Sequence, residues 1–196
     1  NVFEAAKNQN NKYVVYTSSG GVFGRNNPEA PYPETHYGAF KLAVEGIARA
    51  LYLENKFSSF GLRPFVIYGP GREIGGTAGI TLACRASAKN EDYIIPFSGR
   101  AGFVYVEDVT KIIFRLIEEQ PKGANVVNIN GISCEVNNII NILSKINKKN
   151  KISFKNNKLP VVGEILGNSP KNYFKDFVFT CLDSGIMKTV NFYKNL

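Results

Sequence analysis

The run Lys12-Tyr-Val-Val-Tyr-Thr17 constrains the fold more than any other stretch. It is short, apolar, β-branched and aromatic, the composition of a buried strand. It stops at Ser18-Ser19-Gly20-Gly21 and continues as Val22-Phe23-Gly24. Pro28, Pro31 and Pro33 mark Arg25 to Thr35 as a loop. Beyond it Phe40, Val44, Ile47 and Leu51 recur at spacings of four, three and four, which predicts one apolar face of a helix reaching Lys56. A strand that ends in serines and glycines, followed by a loop and a helix, is the repeating unit of an open α/β sheet. Such sheets bind ligands at the carboxyl ends of their strands.

Two residues of that helix carry chemistry. Tyr37 and Lys41 are four apart, so a phenol and an ammonium face one spot. A neighbouring ammonium favours the phenolate, which suits a tyrosine to proton transfer. Ser19 supplies a hydroxyl to hold the substrate oxygen that gains or loses the proton. The spacing alone proves little, because Tyr52 and Lys56 repeat it on the same helix. A Tyr-x-x-x-Lys pair is by default a solvated helix pair; its place after the strand sets Tyr37 apart. His36 is the only histidine and reads as a surface or capping residue.

Four segments, taken together, resemble a known family. They are Val15-Tyr-Thr-Ser-Ser-Gly-Gly-Val-Phe-Gly24, Tyr37-Gly-Ala-Phe-Lys41, Leu62-Arg-Pro-Phe-Val-Ile-Tyr-Gly-Pro-Gly71 and Phe103-Val-Tyr-Val-Glu-Asp-Val109. Their order and rough spacing are similar to those of the extended short-chain dehydrogenase/reductases, specifically the NAD-dependent sugar-nucleotide epimerase/dehydratase group. The resemblance runs over nearly the whole chain. It implies an α/β fold, the carboxy-terminal part of a Rossmann-type parallel sheet plus a small α/β substrate lobe. Residues 1–71 would form a partial NAD-binding Rossmann domain with the Tyr-x-x-x-Lys helix. Residues 72–196 would form the substrate-binding lobe, with some elements returning to the Rossmann sheet.

The resemblance also implies roles. Ser19, Tyr37 and Lys41 are the expected catalytic residues. A substrate hydroxyl bonds to Ser19 and Tyr37, the tyrosinate takes its proton, and the carbon-bound hydride passes to NAD. Ser18, Tyr37, Lys41, Pro64 and Phe65 are expected at the cofactor, NAD or NADP. Ser19, Thr77 and Arg100 are expected at the substrate, a sugar nucleotide or a small sugar. Val66 departs from the family, many of whose members carry a diphosphate-binding asparagine there, and this weakens a nucleotide-sugar assignment. Gly20-Gly21 occupy the place of the Asp-Glu pair of the dehydratases, which argues against dehydration.

Other readings stay open. Gly75-Gly-Thr-Ala-Gly-Ile-Thr81 offers backbone donors and hydroxyls to an anion, or is simply a loop with a capped helix. Arg100 reads as a clamp on a phosphate or carboxylate, or as a surface arginine. Asp108 reads as a structural acid near a helix amino terminus. Leu42, Ala50 and Leu53 form a second apolar line. It packs within the chain or, as the resemblance implies, on a second copy through the Tyr37–Lys56 helix.

Asn1 to Lys7 reads as the last turns of a helix. In the resembled family the first βαβ half of a Rossmann domain precedes it, with the Gly-x-x-Gly-x-x-Gly loop that cradles the cofactor pyrophosphate. Nothing between Asn1 and Lys12 can do this, and Gly69-Pro-Gly71 and Gly75-Gly76 belong to other segments. The expectation is a truncated family member with an incomplete NAD site. The alternative is a catalytically inert fragment or interaction module that does not bind NAD alone, with strand 13–17 exposing an edge to pairing.

Further strands are expected over Gly61–Tyr68, Tyr93–Phe97, Phe103–Val106, Asn125–Ile129 and Lys151–Phe154. Helices are expected to Lys89, over Asp108–Glu119 and Glu135–Lys145, and from Leu182, with a loose tail between Leu159 and Leu182. A chain of 196 residues suffices for one core. No apolar run approaches membrane-spanning length, so no membrane role and a cytoplasmic location are expected. Cys84, Cys134 and Cys181 are odd in number and far apart, without metal-ligand spacing. The net charge of +8 owes much to Lys145–Lys158, a stretch without arginines and with Phe154 as its one aromatic. It reads as a solvated helix end and loop, not a nucleic-acid surface.

Overall fold

The computed structural model describes residues 2–196. Strand β1 (Tyr13–Thr17) pairs in parallel with β2 (Ser58–Pro64), and β2 with β6 (Ala124–Ile129), giving the order β1-β2-β6. A second sheet joins β3 (Val66–Tyr68) in parallel to β5 (Arg100–Tyr105), which pairs antiparallel with β7 (Ile132–Glu135). β4 (Tyr93–Ile95) and β8 (Ile152–Phe154) form a parallel pair. The helices are α1 (Val2–Asn8), α2 (His36–Asn55), α3 (Gly79–Lys89), α4 (Val106–Glu119), α5 (Val136–Ile146) and α6 (Leu182–Lys194).

The single strand expected over Gly61–Tyr68 divides at Phe65. The Phe65 amide still donates to the Ile129 carbonyl of β6, at 3.1 Å. Val66 already stands opposite Phe103 of β5. One apolar run therefore feeds two sheets with two cores. Phe60, Leu62, Val127 and Ile129 pack on Ile112 and Leu116 of α4. Val66, Tyr68 and Phe103 pack on Ile80 of α3, Ile139 of α5 and Ile186 of α6. Each such fully buried side chain contributes roughly 1.5–3 kcal/mol relative to exposure.

The face expected for α2 holds in part: Val44 and Leu51 pack on the cluster of Phe3, Ala48 and Phe57. Phe40 and Ile47, expected in the core, are 73% and 46% exposed. Leu42, expected on the outer line, packs against Val22 and Phe23. The buried face is built from Gly38, Glu45 and Ala48. Small residues let the helix lie close to the strand ends, and Arg63 of β2 neutralises the buried carboxylate of this helix, Glu45.

The 159–181 segment is not loose. Val162, Ile165, Phe174 and Phe177 are buried, and the Val162 amide donates to the Gly24 carbonyl at 2.9 Å. Asp108, in the first turn of α4, is 1% exposed. It accepts from the amide and hydroxyl of Thr180 at 2.7 and 2.8 Å, and so ties this segment down.

Candidate active site

Strand β1 ends at Thr17, and the chain turns through a 3-10 turn at Gly20–Val22. The Ser19 oxygen accepts from the Gly21 amide at 3.0 Å, which opens this turn and leaves the hydroxyl proton free to donate elsewhere. Thr35 caps α2 by accepting from the Gly38 amide at 3.1 Å. A Cβ on Gly38 would overlap the Gly21 carbonyl oxygen, so only glycine lets the helix start press against the turn. That contact brings Tyr37 beside Ser19. A Cβ placed on Gly21 would lie 3.3 Å from the Ser19 oxygen and 3.5 Å from the Tyr37 ring.

Lys41, one turn along α2, donates from Nζ to the Thr17 carbonyl at 2.8 Å. Its ammonium stands 5.7 Å from the centre of the Tyr37 ring. Tyr37 itself is 58% exposed. Ser19 and Tyr37 open onto a cleft of about 460 Å³, whose walls include Ser18, Gly20, Pro64, Phe65, Val66, Arg72, Thr77 and Leu159 to Val161. Among the described residues Arg72 is the one charged residue lining it. Its guanidinium donates to the Thr77 hydroxyl at 3.4 Å. The adjoining Glu73 is held by Arg85 and by the Tyr193 hydroxyl, which donates to it at 2.8 Å. The glycine-rich loop is thereby fastened to α3 and α6.

Of the residues expected from the sequence, Ser18, Ser19, Tyr37, Pro64, Phe65 and Thr77 line this cleft, and Lys41 stands behind Tyr37. The Ser18 side chain is buried and donates to Glu45. Arg100 does not line the cleft. It faces a neighbouring concavity with Arg25, Ser98, Glu135 and Lys158, and its closest acid is Glu164 at 3.5 Å. Leu159 and Val161 line both spaces and stand between them. Sequence reasoning missed Arg72, whose signal was a cation directly after a strand-ending Gly-Pro-Gly. It also missed the 159–161 wall, which carries no signal at all.

Two other tyrosines resemble Tyr37 superficially. Tyr16, on β1, lies over Gly61 and has its phenol pushed well above the ordinary range, first by burial and then by the Glu45 charge. It stays protonated. Tyr52 and Lys56 stack at 5.5 Å, but they line a separate concavity with Lys7, Lys12 and Lys122 at the amino ends of β1 and β2.

A parallel α/β sheet with its cleft at the carboxyl ends of the strands defines a Rossmann-type protein. More narrowly, the chain belongs to the NAD dependent epimerase/dehydratase family, whose profile matches residues 1–130. It is 27% identical over 152 residues to the Escherichia coli dTDP-4-dehydro-6-deoxyglucose reductase, covering 72% of this chain and 48% of that protein. It thus spans about half the length of this curated relative. Among solved structures, MoeE5 in complex with UDP-glucose and NAD superposes with a TM-score of 0.83 at 23% identity, covering 99% of this chain and 69% of that one. The Thermus thermophilus UDP-glucose 4-epimerase in complex with NAD gives 0.82 at 16% identity, covering 98% and 67%. These two likenesses establish the fold. Among the described residues no helix is long and apolar enough to cross a membrane.

Proposed function

We propose that the cleft exchanges a proton and a hydride at a carbinol or carbonyl carbon of a sugar nucleotide or related sugar, with NAD or NADP as redox partner. One observation carries this reading: a Cβ added at Gly21 would meet both the Ser19 hydroxyl, at 3.3 Å, and the Tyr37 ring, at 3.5 Å, so the two flank one spot, with the Lys41 ammonium 5.7 Å from the ring centre. Ser19 and Tyr37 bond one substrate oxygen, and Tyr37 moves its proton. A nicotinamide cofactor, when bound, would supply the hydride acceptor or donor. Lys41 places a positive charge beside Tyr37 and within reach of ribose hydroxyls. Arg72 and Thr77 hold an anionic group of the substrate at the far end of the cleft. Arg100 serves a substrate long enough to pass the Leu159–Val161 wall.

The residues present fit the nicotinamide end of the cofactor. Phe65 and Gly20 make a flat wall, since a Cβ on Gly20 would already touch the Phe65 ring at 3.4 Å. Ser18 and Pro64 flank it. Among the described residues the cleft is lined by hydroxyls and one arginine, a set suited to proton and hydride exchange at a hydroxyl-bearing carbon. The Escherichia coli relative is named as a reductase of a dTDP-sugar, and MoeE5 is seen with UDP-glucose, which supports the substrate class.

A second reading has its own support. Residues 2–12 contain no glycine, and the cleft residues offer no cradle for the cofactor's diphosphate. On this reading the described residues do not hold NAD by themselves, and the chain alone is catalytically inert or serves as an interaction module. Calorimetry with NAD on this chain and on Tyr37→Phe separates the two. Micromolar binding that the cleft substitution weakens supports catalysis by this chain. No binding at millimolar NAD supports the inert reading.

We also infer that the outer stripe of α2 meets a second copy of the chain. Phe40 and Ile47, seven residues apart and so on one face, are 73% and 46% exposed along it. Large apolar groups exposed two turns apart mark an interaction surface.

A further inference from the structure

Glu45 sits on the face of α2 that also carries Tyr37 and Lys41, one turn beyond Lys41. Its side chain is 7% exposed. Arg63, on β2, spans both its oxygens, with Nε to Oε1 at 2.8 Å and Nη2 to Oε2 at 2.6 Å. The Ser18 hydroxyl donates to the same Oε1. The guanidinium is fixed in turn by Asn128 Oδ1 of β6 at 3.3 Å and lies 5.2 Å from the Phe23 ring centre. Glu45 is therefore satisfied wholly from the sheet.

This arrangement runs against the helix's local preference. A lysine and a glutamate four apart on one face attract each other. Here both head groups reach the same end of β1, Lys41 bonding Thr17 and Glu45 bonding Ser18. A carboxylate shielded from water would hold a nearby ammonium strongly. Yet among the described residues Lys41 makes no ion pair, and Glu45 pairs with Arg63 alone.

We propose that Arg63 is a positioning residue that withholds Glu45 from Lys41 and so keeps the Lys41 ammonium free of a carboxylate beside Tyr37. Two cations compete for one carboxylate. The planar guanidinium wins because it meets both oxygens at once, which an ammonium cannot do. Ser18 takes a further lone pair and blocks a shared geometry. Control of the Lys41 charge then lies on β2, outside the Tyr-x-x-x-Lys motif. The proposal deepens the reading of Lys41 given above, and its test observes Lys41 directly, independently of cofactor binding or turnover.

The experiment is competitive acetylation of the chain with acetic anhydride, with labelling of Lys41 measured by mass spectrometry relative to the exposed Lys194. Arg63→Met removes the guanidinium. Glu45 then captures Lys41, and Lys41 labelling falls about tenfold. In the double variant Glu45→Met with Arg63→Met no carboxylate remains, and labelling returns to the wild-type rate. A purely structural pair would lower the melting temperature of the single variant and leave Lys41 labelling unchanged; unchanged or raised labelling overturns the proposal. Should Arg63→Met fail to fold by circular dichroism, Arg63→Lys decides. Its single ammonium cannot span both oxygens, so labelling falls severalfold, and wild-type labelling again overturns the proposal.

Discussion

Gly38 and Gly21 meet backbone to backbone, and a methyl on Gly38 would overlap the Gly21 carbonyl oxygen. Gly38→Ala is therefore expected to destabilise the chain by about 1–3 kcal/mol, the cost of overpacking a close approach. It also pushes Tyr37 away from Ser19. Gly46, on the same helix, has nothing within 4 Å of an added Cβ. Gly46→Ala is expected to stabilise by about 0.5–1 kcal/mol through helix propensity. Urea denaturation of the two variants reads both signs, and equal shifts would contradict the close-approach argument.

Tyr37→Phe removes one exposed oxygen and no packing. The expected loss is about 10²–10⁴-fold in the rate of hydride transfer, with stability within about 0.5 kcal/mol of wild type. Formation of reduced nicotinamide with UDP-glucose and NAD measures the first, and thermal melting the second. Tyr52→Phe, which lies outside the cleft, leaves the rate unchanged. A rate that survives Tyr37→Phe excludes the phenol as proton carrier.

Burial pushes the Cys84 thiol up to about 12 and the Cys134 thiol up to about 11. In the unfolded chain both ionise near the ordinary value of about 8.5. Between these values the native state holds protons that the unfolded state has released, so stability falls as pH rises. The contribution is fully present below about pH 8.5 and is lost towards the folded values. Urea midpoints taken across this range are expected to decline, and to decline less in Cys84→Ala. Alkylation should proceed in the order Cys181, Cys134, Cys84, following their exposure.

Ile47→Glu places a charge in the middle of the exposed stripe on α2. Light scattering is expected to show a dimer for the wild type and a monomer for the variant. The melting curve of the monomer should stay close to the wild type, because Ile47 contributes little to the core. A wild-type monomer at high concentration removes the second-copy inference.

The strand, loop and helix around Tyr37 were legible because each is a short-range pattern: an apolar run, a cluster of prolines, a fourfold spacing. The break at Phe65 was not, since Leu62 to Tyr68 reads as one continuous strand and the handover depends on which neighbour each residue finds. The phase of α2 misled in part, and for a different reason. Its buried face holds a glycine, an alanine and a glutamate, and Glu45 is acceptable there only because Arg63 arrives from 18 residues away. The Asp108–Thr180 tie spans 72 residues, and no local pattern announces it. Arg72 and Arg100 look alike in the sequence; loop geometry alone puts one in the cleft and the other behind a wall.

The single residue between β2 and β3 has a mechanical consequence. Pro64 belongs to the sheet that carries Ser19 and Tyr37, whereas Val66 belongs to the sheet that abuts the Arg72–Thr77 loop. The cleft floor is thus a seam between two sheets. A molecule held at once by Tyr37 and Arg72 would fix the two sheets relative to one another. Occupancy of the cleft would then be felt as stiffness across the whole chain, far from any atom the ligand touches.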